Sequence, residues 1–203
     1  MNEEAEFEYD WLIRQKYEFK ILTLIAVLAD NNLAYRGTLK EMCEFFGVAS
    51  GDSRNNRNIK DAIDKLEQDG LLKQIKDGRT YTLTLSKKGE KRKQVIRIQK
   101  EWVEIAKRHK STDPARSTDW VNLLKVWLFL IDNKKETLYI HEIATALGIS
   151  TSTVKRAKSI LEHELKAIDS KPVIVKKSDG IYFCLGSSIQ ALAWIEETPS
   201  APL

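Results

Sequence analysis

The 203-residue sequence carries 33 Lys or Arg against 29 Asp or Glu, for a formal net charge of +4 and an isoelectric point near 8.9. With 42% hydrophobic and 31% charged residues it reads as an ordinary globular chain, long enough for one medium or two small domains. Two distant cysteines, Cys43 and Cys184, exclude a disulfide framework, and each reads as a small buried hydrophobe. The acidic start lacks the basic-then-apolar order of a secretory signal. The longest apolar run, Trp120 to Ile131, is too short to span a bilayer. A cytoplasmic protein without membrane contact is expected.

Residues 1–16 form an acidic segment with Glu3, Glu4, Glu6, Glu8 and Asp10. A first module is expected over 17–86. In it, Ile21, Leu24, Ile25 and Leu28 share one face of a helix that Asn31-Asn32 ends. Thr38 caps a second helix with Glu41 at capping-box spacing, and Gly47 stops it. A polar stretch from Ala49 to Asn58 precedes a third helix that turns Ile59, Ala62, Ile63 and Leu66 inward. Leu71 to Ile75 and Thr80 to Leu85 then flank Asp77-Gly78, the signal of a β-hairpin with positive φ at both central residues.

Residues 87–119 read as a basic linker helix and loop. Between Lys87 and Lys110, ten Lys or Arg face three Glu, so a polyanion would meet a positive middle of the chain. Val95, Ile98, Trp102 and Ile105 recur at helical spacing, which predicts a single amphipathic helix over 90–109. The Asp113-Pro114 stretch is the expected boundary. The order then returns in a second module over 120–187: helices at Val121 to Ile131, Ile140 to Leu147 and Thr151 to Leu165, then strands around Asp179-Gly180. A C-terminal helix and tail occupy 188–203.

The sharpest local signal is Ile143-Ala144-Thr145-Ala146-Leu147-Gly148-Ile149-Ser150-Thr151-Ser152-Thr153-Val154. Ala144 is small enough for a crossing helix, Gly148 supplies a left-handed turn, and Ile149 and Val154 plug the space between two helices. This spacing resembles the helix-turn-helix of bacterial DNA-binding proteins, and with the hairpin behind it the winged-helix branch. The resemblance implies a mainly α fold with small β wings, two winged-helix modules being joined by the basic helix. It further implies that the third helix enters the major groove while the wing touches backbone or minor groove. Base-edge candidates in the second module are then Ser152, Thr153 and Arg156, with Lys155, Lys158, Lys176 and Lys177 as phosphate contacts.

The first module departs from this pattern. Cys43 replaces the small alanine, and the anchor Ile59 stands twelve residues after Gly47, where Val154 stands six after Gly148. The intervening Arg54, Asn55, Asn56 and Arg57 are types suited to guanine and adenine edges, and wing Arg79 is a further contact; a solvated loop is the alternative. Asp61, Asp64 and Glu67 would repel phosphates. The first module therefore reads as a DNA contact or a dimerisation platform.

Catalysis is not expected. His141-Glu142 begins a zinc-protease motif, but Thr145 stands where the second ligand belongs, and no phosphate loop or nucleophile elbow occurs. The sequence thus points to a double-stranded DNA binder with no cofactor or metal, a bacterial or mobile-element transcriptional regulator. A homodimer through the first module or the linker helix is a further partner to test. The tandem order also resembles some plasmid and phage replication initiators, so a replication or conjugation accessory role is one alternative. A protein-interaction scaffold without DNA binding is the other.

Overall fold

A computed structural model describes residues 4–30, 33–86, 95–109, 118–133, 138–165, 168–176 and 182–191, the last two segments as backbone only. Helices predominate, accompanied by small antiparallel sheets. The chain divides into two compact units, Met1–Lys107 and Arg108–Leu203. Among the described residues no helix is long and apolar enough to cross a membrane.

The first unit opens with strand β1 (Glu4–Glu8), a 3-10 turn at Tyr9–Trp11 and helix α1 (Lys16–Leu28). Strand β2 (Ala34–Thr38) leads into α2 (Leu39–Phe46), α3 (Ser53–Gln68), and the hairpin β3 (Leu72–Asp77) and β4 (Thr80–Leu85). The three strands pair antiparallel in the order β2-β4-β3, so the strand before α2 closes against the far arm of the hairpin. Helix α1 packs against α3 and touches α2, β2 and β4. The core is the inward face of each element: Ile21, Leu24 and Ile25 of α1, Met42 and Phe46 of α2, and Ile59, Ile63 and Leu66 of α3 are all at most 1% exposed. Burying each such side chain stabilises the fold by about 1.5–3 kcal/mol before entropy is counted.

The single helix expected over 90–109 is corrected, and the acidic start supplies its partner strand. Val95–Gln99 is strand β5, antiparallel to β1 with Phe7 opposite Ile96, and among the described residues of that stretch the helical part is Lys100–Arg108 (α4). In β1 the alternation Glu-Ala-Glu-Phe-Glu turns Ala5 and Phe7 inward, and Phe7 meets Trp11 edge-on at 6.1 Å and stacks on Phe19 at 6.3 Å. Outside, Glu6 accepts a 2.8 Å hydrogen bond from Arg97 Nε, so acidic start and basic middle partly neutralise each other. The stripe read at Val95, Ile98, Trp102 and Ile105 is divided: Val95 is 44% exposed, while Ile96 and Ile98 are buried from the strand and Trp102, Val103 and Ala106 from the helix.

The hairpin turn also differs. Asp77 pairs with Thr80, so the two-residue loop is Gly78-Arg79. Of these, only Gly78 has a positive φ (58°), the pattern of a turn with glycine at its first central position.

The second unit comprises α5 (Trp120–Asp132), α6 (Ile140–Leu147), α7 (Thr151–Ser159) continued by a π-helical turn at Ile160–Glu164, and the antiparallel pair β6 (Ile168–Lys176) and β7 (Tyr182–Ala191). Helix α5 packs on α6 and α7. The helix expected to start at Ser188 does not, because Ser188 to Ala191 continue β7; the rest of that segment lies outside the described residues. Asp179-Gly180 and the Asp113-Pro114 stretch lie outside them too.

Candidate nucleic-acid interface

Both units turn the same corner between two helices. Helices α2 and α6 each have eight residues, and each carries a Glu at its third position that returns to the backbone N–H of the capping residue: Glu41 to Thr38 at 2.6 Å and Glu142 to Tyr139 at 2.8 Å. Each ends on a left-handed glycine, Gly47 at φ 66° and Gly148 at φ 63°. The next N–H, of Val48 or Ile149, then bonds at 3.0 Å to the carbonyl of Cys43 or Ala144. A side chain at either glycine would be strained whatever the space around it.

Beyond the glycine the corners diverge. In the second unit Ser150 caps α7, its Oγ accepting from Thr153 N at 3.1 Å, and Val154 and Ala157 are buried behind it. In the first unit the cap is Asp52, which accepts from Arg54 N at 2.8 Å, so the connection is three residues longer and α3 begins at Ser53 rather than near Ile59. The expected expanded turn is therefore mostly helix. Arg54, Asn55, Asn56 and Arg57 form its first turns.

Those four residues do not share one role. Arg54 and Arg57 are exposed. Asn55 and Asn56 are half-buried: Tyr17 Oη donates to Asn55 Oδ1 at 2.9 Å, and Asn55 Nδ2 donates to Ala49 O at 3.3 Å. Asn56 Nδ2 donates to Ser50 O at 3.0 Å, and Cys43 Sγ lies 3.6 Å from Asn56 Oδ1. Burial pushes the Cys43 thiol up from its ordinary pKa, so it stays a neutral donor.

A cluster of cations gathers in the first unit that is not adjacent in sequence. Lys40, Lys60, Lys76 and Arg79 line a cleft of about 420 Å³ with Thr38, Leu39, Gly78 and Tyr81, between the start of α2, α3 and the hairpin tip. No lining residue is acidic. Lys76 Nζ sits 5.6 Å from the Tyr81 ring centroid, and Lys40 Nζ stands 3.9 Å from Glu44, both ends of that pair exposed. Of these cations only Arg79 was foreseen. The others are separated by up to 36 positions in sequence and converge because the capping box starts α2 beside the hairpin.

Two of the three acids expected to repel phosphates along α3, Asp64 and Glu67, are bonded to the hairpin. Gln74 of β3 donates through Nε2 to Asp64 Oδ1 and Glu67 Oε2, each at 2.8 Å, and its backbone N–H donates to Glu67 Oε1 at 2.9 Å. These bonds hold the Glu67 carboxyl below its ordinary pKa. Asp69 is likewise lowered, by hydrogen bonds from Lys65 at 2.8 Å and from Arg14. The hairpin is thus braced against α3 through Gln74, and neither Asp64 nor Glu67 lines the cleft.

In the second unit Lys155 and Arg156 are exposed and make no ion pair among the described residues. Ser152 is exposed and Thr153 half-buried, each hydroxyl 2.8 Å from Ser150 Oγ. Lys158 is paired with Glu162 at 2.6 Å. Lys176 ends β6, and Lys177 lies outside the described residues. Among the described residues no group of three His, Cys, Asp or Glu is placed to hold a metal ion. No family model matches the sequence, and no curated protein matches it significantly.

Proposed function

We propose that the chain binds double-stranded DNA in a sequence-specific way through two winged helix-turn-helix modules, one in each unit. The order α1-β2-α2-α3-β3-β4 with strands β2-β4-β3 supports this reading for the first unit, and α5-α6-α7 followed by a strand pair supports it for the second. The observation that carries it is the cleft of Lys40, Lys60, Lys76 and Arg79, with Arg54 and Arg57 exposed on the helix beside it. Four cations lining one depression without an acid among them repel one another, and a phosphate backbone relieves that repulsion while releasing its own counterions. Side chains at the head of α3 then meet base edges, as do Ser152, Lys155 and Arg156 in α7. Specific duplex binding of this kind suits a transcriptional regulator.

The reading reverses the expected division of labour. Among the described side chains the second unit exposes Lys155 and Arg156 and pairs Lys158 with Glu162, whereas the first exposes the four cleft cations together with Arg54 and Arg57 on α2, α3 and the hairpin, of which Lys40 stands 3.9 Å from Glu44. The first unit is the main source of affinity. Fluorescence anisotropy on a mixed-sequence duplex should show log affinity falling linearly with log salt. Phosphate contacts from the four cleft cations would give a slope of roughly −3.6. Binding that ignores salt would overturn the proposal.

A further inference from the structure

The two asparagines at the head of α3 invite a reading as adenine contacts, but their amides are committed to the fold. A bidentate contact to adenine uses the amide oxygen and nitrogen together. In Asn55 both atoms are engaged, by Tyr17 Oη and Ala49 O. In Asn56 both are engaged as well, by Cys43 Sγ and Ser50 O. Turning either amide toward a base would strip two partners from the corner.

Position explains why the corner needs them. Counted from the helix cap, Asn56 stands four residues after Asp52, as Val154 stands four after Ser150. In the second unit a fully buried valine plugs the gap between the two helices. In the first unit the connection is longer, and a half-buried asparagine fills the same place while also holding the loop carbonyl of Ser50. Asn55 adds a tie from the loop to α1 through Tyr17. The first turn of α3 is thereby anchored to α1, to α2 and to its own preceding loop.

What the anchoring leaves exposed is Arg54 and Arg57, three residues apart and so on one helix face. Arginine is the side chain whose fork matches guanine O6 and N7. Such a contact works only if its base is held within about 0.5 Å and 10–20°.

We infer that Tyr17, Asn55 and Asn56 are positioning residues that fix the first turn of α3, and that Arg54 and Arg57 read guanine in the duplex segment it meets. This rests on the DNA-binding reading above. It excludes Asn55 and Asn56 from base contact and makes the segment rich in guanine.

The test uses the full chain and duplexes selected from a random pool. Wild-type protein should enrich guanine, and Arg54→Ala or Arg57→Ala should weaken binding to the selected duplex by about 5- to 150-fold while relaxing the selected position. Tyr17→Phe removes only one hydroxyl. It should reduce discrimination between selected and scrambled duplexes several-fold, with the salt slope unchanged because the cleft cations are untouched. Asn55→Ala should do the same. If Tyr17→Phe weakens both duplexes equally, or changes neither, the positioning role is overturned. If Asn55→Ala or Asn56→Ala instead abolishes a selected adenine, those residues read bases and the inference fails while DNA binding stands. If wild-type protein shows no salt-dependent duplex binding, both readings fall together.

Discussion

Gly37 sits in β2 directly ahead of the residue that caps α2, and the space above its Cα is already occupied. A Cβ there would lie 2.1 Å from Tyr35 Oη, 2.6 Å from Tyr35 Cζ and 3.1 Å from Glu41 Oε2. The first two distances are far inside contact, so in Gly37→Ala the end of the Tyr35 ring must shift. That ring is only 6% exposed, and burial, with the Glu41 carboxylate adding to it, pushes its hydroxyl pKa up to about 12. Overpacking of this kind costs about 1–3 kcal/mol. The same shift would disturb Glu41 in the Thr38 capping box. In a domain of this size each kcal/mol lowers the thermal midpoint by about 4–8 °C, so calorimetry should resolve the change easily. Tyr35→Phe deletes the nearest clashing atom, and the double variant Tyr35→Phe with Gly37→Ala should recover part of the loss. Alkaline titration of tyrosine absorbance gives a second readout. The raised folded-state value stabilises the protein below pH 10, and that contribution is lost as pH rises toward 12. Gly37→Ala should remove the late-titrating tyrosine. An unchanged midpoint together with an unchanged late titration would refute this packing. The consequence reaches function, because Thr38 and Leu39 line the basic cleft.

Two other perturbations probe the same unit. Glu41 and Asp69 have pKa values below the ordinary carboxylate range, the first through hydrogen bonds from Thr38, the second through those from Lys65 and Arg14. Depressed carboxyls stabilise the fold above their unfolded pKa, and that stability disappears as pH falls through the folded values. Urea midpoints should therefore drop below about pH 4, and Glu41→Gln with Asp69→Asn should flatten the drop; an equally steep fall in the double variant would exclude these carboxyls as its source. Lys20, 2% exposed, donates to Phe46 O at 3.3 Å and lies 5.3 Å and 5.6 Å from the centroids of the Tyr17 and Phe46 rings. Lys20→Met keeps the stem but leaves the carbonyl at the end of α2 without that donor, and should lose about 1–3 kcal/mol by chemical denaturation. A variant as stable as its parent would show that desolvation of the ammonium offsets these contacts.

Much of the fold is legible where the signal is local. Thr38 with Glu41 marks the start of α2 and Gly47 its end, and Gly148 marks the end of α6, because caps and left-handed turns are decided by a few adjacent residues. Asp77-Gly78 signals the hairpin, though Asp77 itself ends β3 and the turn is Gly78-Arg79. Strands β1 and β5 were not found, since their pairing joins residues about ninety positions apart. Val95, Ile98, Trp102 and Ile105 also fit a helix as well as Ile96 and Ile98 fit a strand. Short apolar runs are ambiguous in this way, and the partner strand decides. The head of α3 escaped because Ser53 to Asn58 offers no apolar period; Asp52 as a cap was the remaining clue. Of the candidate site, the exposed arginines and Arg79 were readable from residue type. The cleft was not, because Lys40, Lys60 and Lys76 belong to three elements that only the fold brings together.

If this cleft meets the phosphate backbone of duplex DNA, as proposed, its four cations set the salt slope of binding. Replacing Lys40, Lys60, Lys76 and Arg79 together by alanine leaves the core untouched, since Lys40 and Lys60 project from helices and Lys76 and Arg79 from the hairpin. Each phosphate contact contributes about 0.9 to the slope of log affinity against log salt, so the variant's slope should be shallower by up to about 3.6. A quadruple variant that stays folded and keeps the parent's slope and affinity would contradict the account.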